Sequence, residues 1–216
     1  MTTHPTRQPA EERTPWGWLA LFTVASAVLC SIHLDRGLWL DEYYTLIRSI
    51  RRPLGEILTI FPGDTQHMLH AVLARIFVVL FGEHAWTIRL PAVMFGVGAV
   101  PALYFCAREM TSRREALLGS ALLTVSYHHV WFSQNARGYT GMLFFTLLST
   151  YFLLRGLKSG ERKLFVWYAV CAALGVFAHL TTVFLIAAHA LVSAAVLWLP
   201  GWREEKFQVK DWRAPL

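Results

Sequence analysis

Apolar runs of about 17–20 residues, nearly free of charge, recur along this chain, and a helix of that length crosses a hydrocarbon core of about 30 Å. They occupy 16–34, 89–107, 116–133, 139–157, 164–180 and 182–199, with a shorter run at 67–82. Backbone polar groups in hydrocarbon must pair within their own segment. Six such runs therefore predict an all-α fold, a polytopic transmembrane helical bundle. Composition agrees: 55% of the 216 residues are hydrophobic and 16% are charged, against about 25% charged in soluble domains.

The run 67–82, "HMLHAVLARIFVVLFG", carries Arg75 at its middle, a costly residue at bilayer depth. We expect it to dip into the outer leaflet rather than cross. With the N-terminus inside, residues 1–15, 108–115, 155–163 and 200–216 are cytoplasmic and hold 13 of the 20 Lys and Arg, the asymmetry of the positive-inside rule. The basic pI, about 9.5, is then a topology signal. The cations form no single solvated stripe, and no nucleic-acid partner is expected.

Residues 1–15 read as a disordered cytoplasmic N-terminus and 16–199 as the transmembrane module. A long first outer loop, 35–66, holds a short juxtamembrane helix at 41–50 and a turn at "FPGD", 61–64. Residues 200–216 read as a cytoplasmic tail, truncated before further spans. The first run lacks a small-residue cleavage site and reads as an uncleaved signal-anchor. Cys30, Cys106 and Cys171 each fall inside an apolar run, with no disulfide or metal spacing.

"RGLWLDEYYTLIRSI", residues 36–50, sets Asp41 and Glu42 side by side just beyond the first span. Asp41 can cap the helix that follows, with Glu42 adding favourable charge to its first turn. The pair can instead supply a general base at the membrane surface, or hold a phosphate through a divalent cation. "WFSQNARGYTG", residues 131–141, places Arg137 among Gln134, Asn135 and Tyr139 between two spans. Its guanidinium either snorkels to the headgroups or binds a phosphate in planar, bidentate fashion. His67 and His70 share a helical face, but without HExxH or paired cysteines they define no zinc site alone. His179, in "FAHLTT", sits at a turn between two runs. The topology gathers Asp41, Glu42, His67, Arg137 and His179 on the outer face.

Three segments, "LWLDEYYT", "HMLHAVLARIFVVLFGEHAWTIRLPAVMFGVGAVPALYFCARE" and "HHVWFSQNARGYTGMLFFTLLSTYFLLRGL", resemble in order and spacing the N-terminal half of GT-C membrane glycosyltransferases. The similar branch contains protein O-mannosyltransferases, lipid A aminoarabinose transferases and bacterial core-sugar transferases of the Rgt type. The resemblance implies an integral membrane enzyme whose active site faces the periplasm or exterior. Its donor would be a polyprenyl-phosphate-linked sugar, and its acceptor a hydroxyl on a lipid, glycan or protein. It further implies Asp41 as the acid that activates the acceptor, with Glu42 beside it. His67, Gln134, Arg137 and Tyr139 then match the residues near donor phosphate and substrate. If a divalent metal takes part, Glu42, His67 and His179 are its weak candidates. Three departures stand out. Met68 and Leu69 replace the family's prolines, Asn135 stands where an acid is common, and family members are more than twice as long. A multispan transporter, or a catalytically inactive remnant or assembly partner, are the other classes compatible with the sequence. A transporter would carry polar residues at mid-span and an internal repeat; here the polar groups sit at span ends.

Overall fold

A computed structural model describes residues 14–60 and 67–198. In chain order its elements are α1 (Trp16–Ser31), α2 (Leu40–Thr45), a π-helical turn (Leu46–Ile50), α3 (Leu54–Thr59), α4 (Met68–Phe81), α5 (Ala85–Arg108), α6 (Arg113–Val125), α7 (Tyr127–Ser133), α8 (Tyr139–Ser159), α9 (Arg162–Ala178) and α10 (Thr182–Trp198). No strand occurs among the described residues. Of these helices α5 and α8, at 24 and 21 residues, are long and apolar enough to cross a membrane, and α1, α4 and α10 are shorter apolar helices. The chain is an all-α membrane protein. The expectations for residues 1–13, for the turn at 61–64 and for the tail 200–216 lie outside the described residues.

Two sequence expectations need correction. The run 116–133 is not one helix: it breaks at Ser126, whose backbone is extended (φ −65°, ψ 121°) and whose hydroxyl accepts from the His129 amide at 3.5 Å. A serine hydroxyl that can satisfy a nearby backbone amide competes with helix continuation. Nor does Asp41 cap the loop helix. That helix begins at Leu40, Trp39 is its N-cap, and no side chain caps it by accepting from its first turn.

Helix α5 is the hub, packed against α1, α4, α6, α7 and α8, while α9 and α10 pack outside α8. Small residues let these backbones approach, as lipid-embedded helices require. A Cβ on Gly98 would stand 2.9 Å from the Phe144 ring, and one on Gly141 would stand 3.2 Å from Ala178. Hydroxyls add interhelical bonds: Thr140 Oγ1 donates to Ala92 O at 2.9 Å and Ser120 Oγ to Val100 O at 3.2 Å. Helix α6 starts on a reciprocal cap in which Ser112 N donates to Glu115 at 2.8 Å.

The two ends of α5 are chemically different. Beyond its C-terminus, Lys158 Nζ lies 3.1 Å from Glu109 Oε2, joining the basic 108–115 and 155–163 connectors on one side of the bundle. Near its N-terminus sits Arg89. At 1.5 Å per residue, Arg89 and Glu109 are about 30 Å apart along the axis, close to one hydrocarbon thickness.

Candidate active site

Arg89 anchors the site's scaffold. It is 2% exposed, a charge that burial would penalise severely without partners. A guanidinium has five N–H donors, and here every one is used. Nε donates to Glu42 Oε1 at 2.8 Å and Nη2 to Glu42 Oε2 at 2.6 Å. Nη1 donates to Leu34 O at 2.6 Å and Arg36 O at 2.8 Å, and Nη2 also donates to Gly37 O at 3.1 Å. Glu42, 1% exposed, also accepts from Trp39 N at 2.9 Å and Ala136 N at 2.7 Å. Its two oxygens thus take four donors, which fills the carboxylate. Burial raises the Glu42 pKa, but the bonds from Arg89, Trp39 and Ala136 outweigh it and hold the group below its usual range.

This closed network joins the 34–42 segment, α5 and the 134–138 loop. In this arrangement Glu42 has no lone pair left over for a substrate proton or a metal. Gln134 is likewise engaged: its amide donates to Leu29 O at 2.9 Å and Ile32 O at 3.0 Å, fastening the C-terminal end of α1. It holds the scaffold rather than facing the cavity that contains Asp41.

The neighbouring acid behaves differently. Asp41 is 71% exposed, and its Oδ2 lies 3.6 Å from Nη1 of the half-buried Arg137. That separation is an ion pair but too long for a hydrogen bond, so either group can exchange its partner for substrate. Both line a cavity of about 440 Å³ together with Trp39, Trp131, Asn135 and Tyr139. Arg137 also lies 5.8 Å from the centre of the Tyr139 ring.

Behind Arg137, three rings brought from distant segments pack together. His67 lies 5.4 Å from Tyr139 and 4.8 Å from His179 between ring centres, and Tyr139 lies 5.2 Å from His179. His67 Nδ1 sits 3.3 Å from Ala178 O; a carbonyl only accepts, so Nδ1 carries the proton. Burial, reinforced by the Arg137 charge and the neighbouring histidines, lowers the His67 pKa to about 3. His67 is neutral and offers a phosphate no charge. His179 Nδ1 accepts from Thr181 N at 3.3 Å, and burial together with Arg137 lowers its pKa as well. A Cβ on Gly138 would run into Ala178 O and reach 2.8 Å from His67 Nδ1, so only glycine lets the Arg137 loop lie this close.

The metal candidates Glu42, His67 and His179 do not fit a metal centre: Glu42 is saturated, and no group of three or more His, Cys, Asp or Glu suited to a metal occurs among the described residues. Arg89 escaped the sequence reading as a functional residue. The signal was present, since an arginine opening a strongly apolar run needs a buried partner.

The site is thus a carboxylate and a guanidinium facing each other on the wall of one cavity in an all-α membrane bundle. Residues 66–211 match the model of the dolichyl-phosphate-mannose-protein mannosyltransferase family, and the chain belongs to that family. It is also similar to a Bacillus subtilis (strain 168) protein named "Putative mannosyltransferase YkcB", 25% identical over 89 residues. That alignment covers 41% of this chain and 12% of YkcB. No solved structure matches.

Proposed function

We propose that this chain carries the reaction centre of a glycosyltransferase that moves a sugar from a polyprenyl-phosphate donor to an acceptor hydroxyl at the outer membrane surface. The observation that carries the reading is the Asp41–Arg137 pair, 3.6 Å apart on the wall of one cavity. Asp41 takes the acceptor's hydroxyl proton as that oxygen attacks the anomeric carbon. The bond from that carbon to the phosphate oxygen breaks, and polyprenyl phosphate leaves with the electron pair and inversion at carbon. Arg137 binds the phosphate and stabilises the charge it gains. Tyr139 and the neutral His67 and His179 hold Arg137 in place, and the Glu42–Arg89 network holds Asp41. Family membership supports this assignment, as does the separation of the site from the basic connectors by about one hydrocarbon thickness. The mechanism has no step through a metal ion.

Asp41→Asn, made in the full-length protein, tests the base. Transfer should fall at least about a hundredfold, the scale of a lost general base. Thermal stability should stay at wild type, because the side chain is exposed and caps no helix. Retained transfer at matched protein levels removes Asp41 from the mechanism.

A further inference from the structure

A second, smaller recess of about 120 Å³ adjoins the Asp41 cavity and shares Trp39, Trp131 and Asn135 with it. We propose that this recess is the acceptor subsite and that it takes the anionic group, a phosphate or carboxylate, of an acceptor sugar or polyol. The proposal rests on the reading of Asp41 as the base.

The recess has no carboxylate in its lining. Arg89 forms part of its wall, but all five of its donors are already engaged. Of the guanidinium and imidazole groups in its lining, those of the exposed Arg36 and His33 remain to meet an anion. His33 is the one non-glycine residue with positive φ (63°) among the described residues. That conformation is uncommon for a residue with a side chain, and here it belongs to a residue lining the recess. Asp35 lines a further, outer recess with His33 and Arg36, but not the inner one.

Size sets what fits. At about 120 Å³ the recess is roughly a quarter of the 440 Å³ Asp41 cavity beside it, so we place the compact phosphate or carboxylate in the recess and the bulkier sugar or polyol body towards the cavity. A sugar ring would then lie in the shared wall between Trp39 and Trp131, exposed by 63% and 38%, whose indole faces suit its C–H surface. From there its hydroxyl reaches the Asp41 cavity. Asn135, neutral and 6% exposed, lines both spaces and adds no charge that would repel an anion.

The test titrates the full-length protein in nanodiscs with glycerol 1-phosphate and with glycerol, following tryptophan fluorescence. Glycerol 1-phosphate should give a saturable change that is lost in Trp131→Phe, and glycerol should give none. Arg36→Gln should weaken binding about tenfold, the loss of one charge-assisted contact. It should do so without unfolding the loop, because the Arg36 group bonded to the scaffold is its backbone carbonyl. Asn135→Asp should weaken binding too, and Asp41→Asn should leave it unchanged while transfer is lost. A non-saturable response, binding indifferent to Arg36→Gln, or displacement by polyprenyl phosphate, which would put the donor in the recess, each overturns the subsite. Transfer retained in Asp41→Asn overturns the base instead, whatever the titration gives.

Discussion

Glu42→Gln is the substitution that best separates a structural acid from a catalytic one. Each Glu42 oxygen accepts from two N–H groups: Oε1 from Arg89 Nε and Ala136 N, Oε2 from Arg89 Nη2 and Trp39 N. Whichever way a glutamine amide turns, its NH2 must face two donors. Two of the four bonds are lost, and the buried Arg89 charge loses its counter-ion. Removing one partner of a buried pair costs about 3–5 kcal/mol. For a chain of this size that is roughly 6–20 °C in thermal midpoint. The assay is a thermal unfolding scan of the purified full-length protein beside a transfer assay, with Asp41→Asn as comparison. Glu42→Gln should lose stability and transfer together, whereas Asp41→Asn loses transfer alone. Replacing both Glu42 and Arg89 by leucine should not restore stability, because Arg89 also satisfies the carbonyls of Leu34, Arg36 and Gly37. An unchanged midpoint in Glu42→Gln, with transfer gone, would refute this reasoning and return Glu42 to the chemistry.

Arg137→Lys should reduce transfer nearly as far as Arg137→Ala, since an ammonium cannot offer a phosphate the planar fork; wild-type turnover in the lysine variant would leave Arg137 only a headgroup contact. Stability should fall as pH is lowered from 7 towards 4. Below about 6.5 the unfolded chain protonates His67 while the folded chain, with its pKa near 3, does not. Glu42, also lowered, adds to the loss only as pH falls below its ordinary value and through its folded one. His67→Gln should flatten the slope of midpoint against pH between 6.5 and 4.5, and an unaltered slope would assign it to other groups. Single cysteines at Ser112 and Ser159, in connectors joined by the Lys158–Glu109 pair, should resist an impermeant thiol reagent in intact cells and react after lysis. Labelling of both before lysis would invert the proposed orientation.

The helices were legible because period and length are local properties. The apolar runs at 89–107, 139–157, 164–180 and 182–199 lie within or almost within α5, α8, α9 and α10. The break at Ser126 was harder to see, because serine is tolerated within helices and only the capping bond to His129 shows that the chain turned there. Asp41, Arg137 and Tyr139 were legible as polar residues at span ends, and one cavity brings them together. What the sequence could not decide was how the adjacent acids divide their work. Successive residues on a helix point about 100° apart, so a helix lying against a bundle can bury one and expose the other, and nothing local says which. The choice was made by Arg89, 47 positions away in sequence from Glu42, and by the Ala136 amide, 94 positions away. It also requires glutamate at the buried position. An aspartate there would be shorter by one carbon–carbon bond, about 1.5 Å, and could not keep both the Arg89 fork and the 2.7 Å bond to Ala136 N. The exposed position carries no such demand from the scaffold. Among the described residues its carboxylate is paired only with Arg137, and loosely, the geometry a carboxylate needs if it is to meet a substrate hydroxyl.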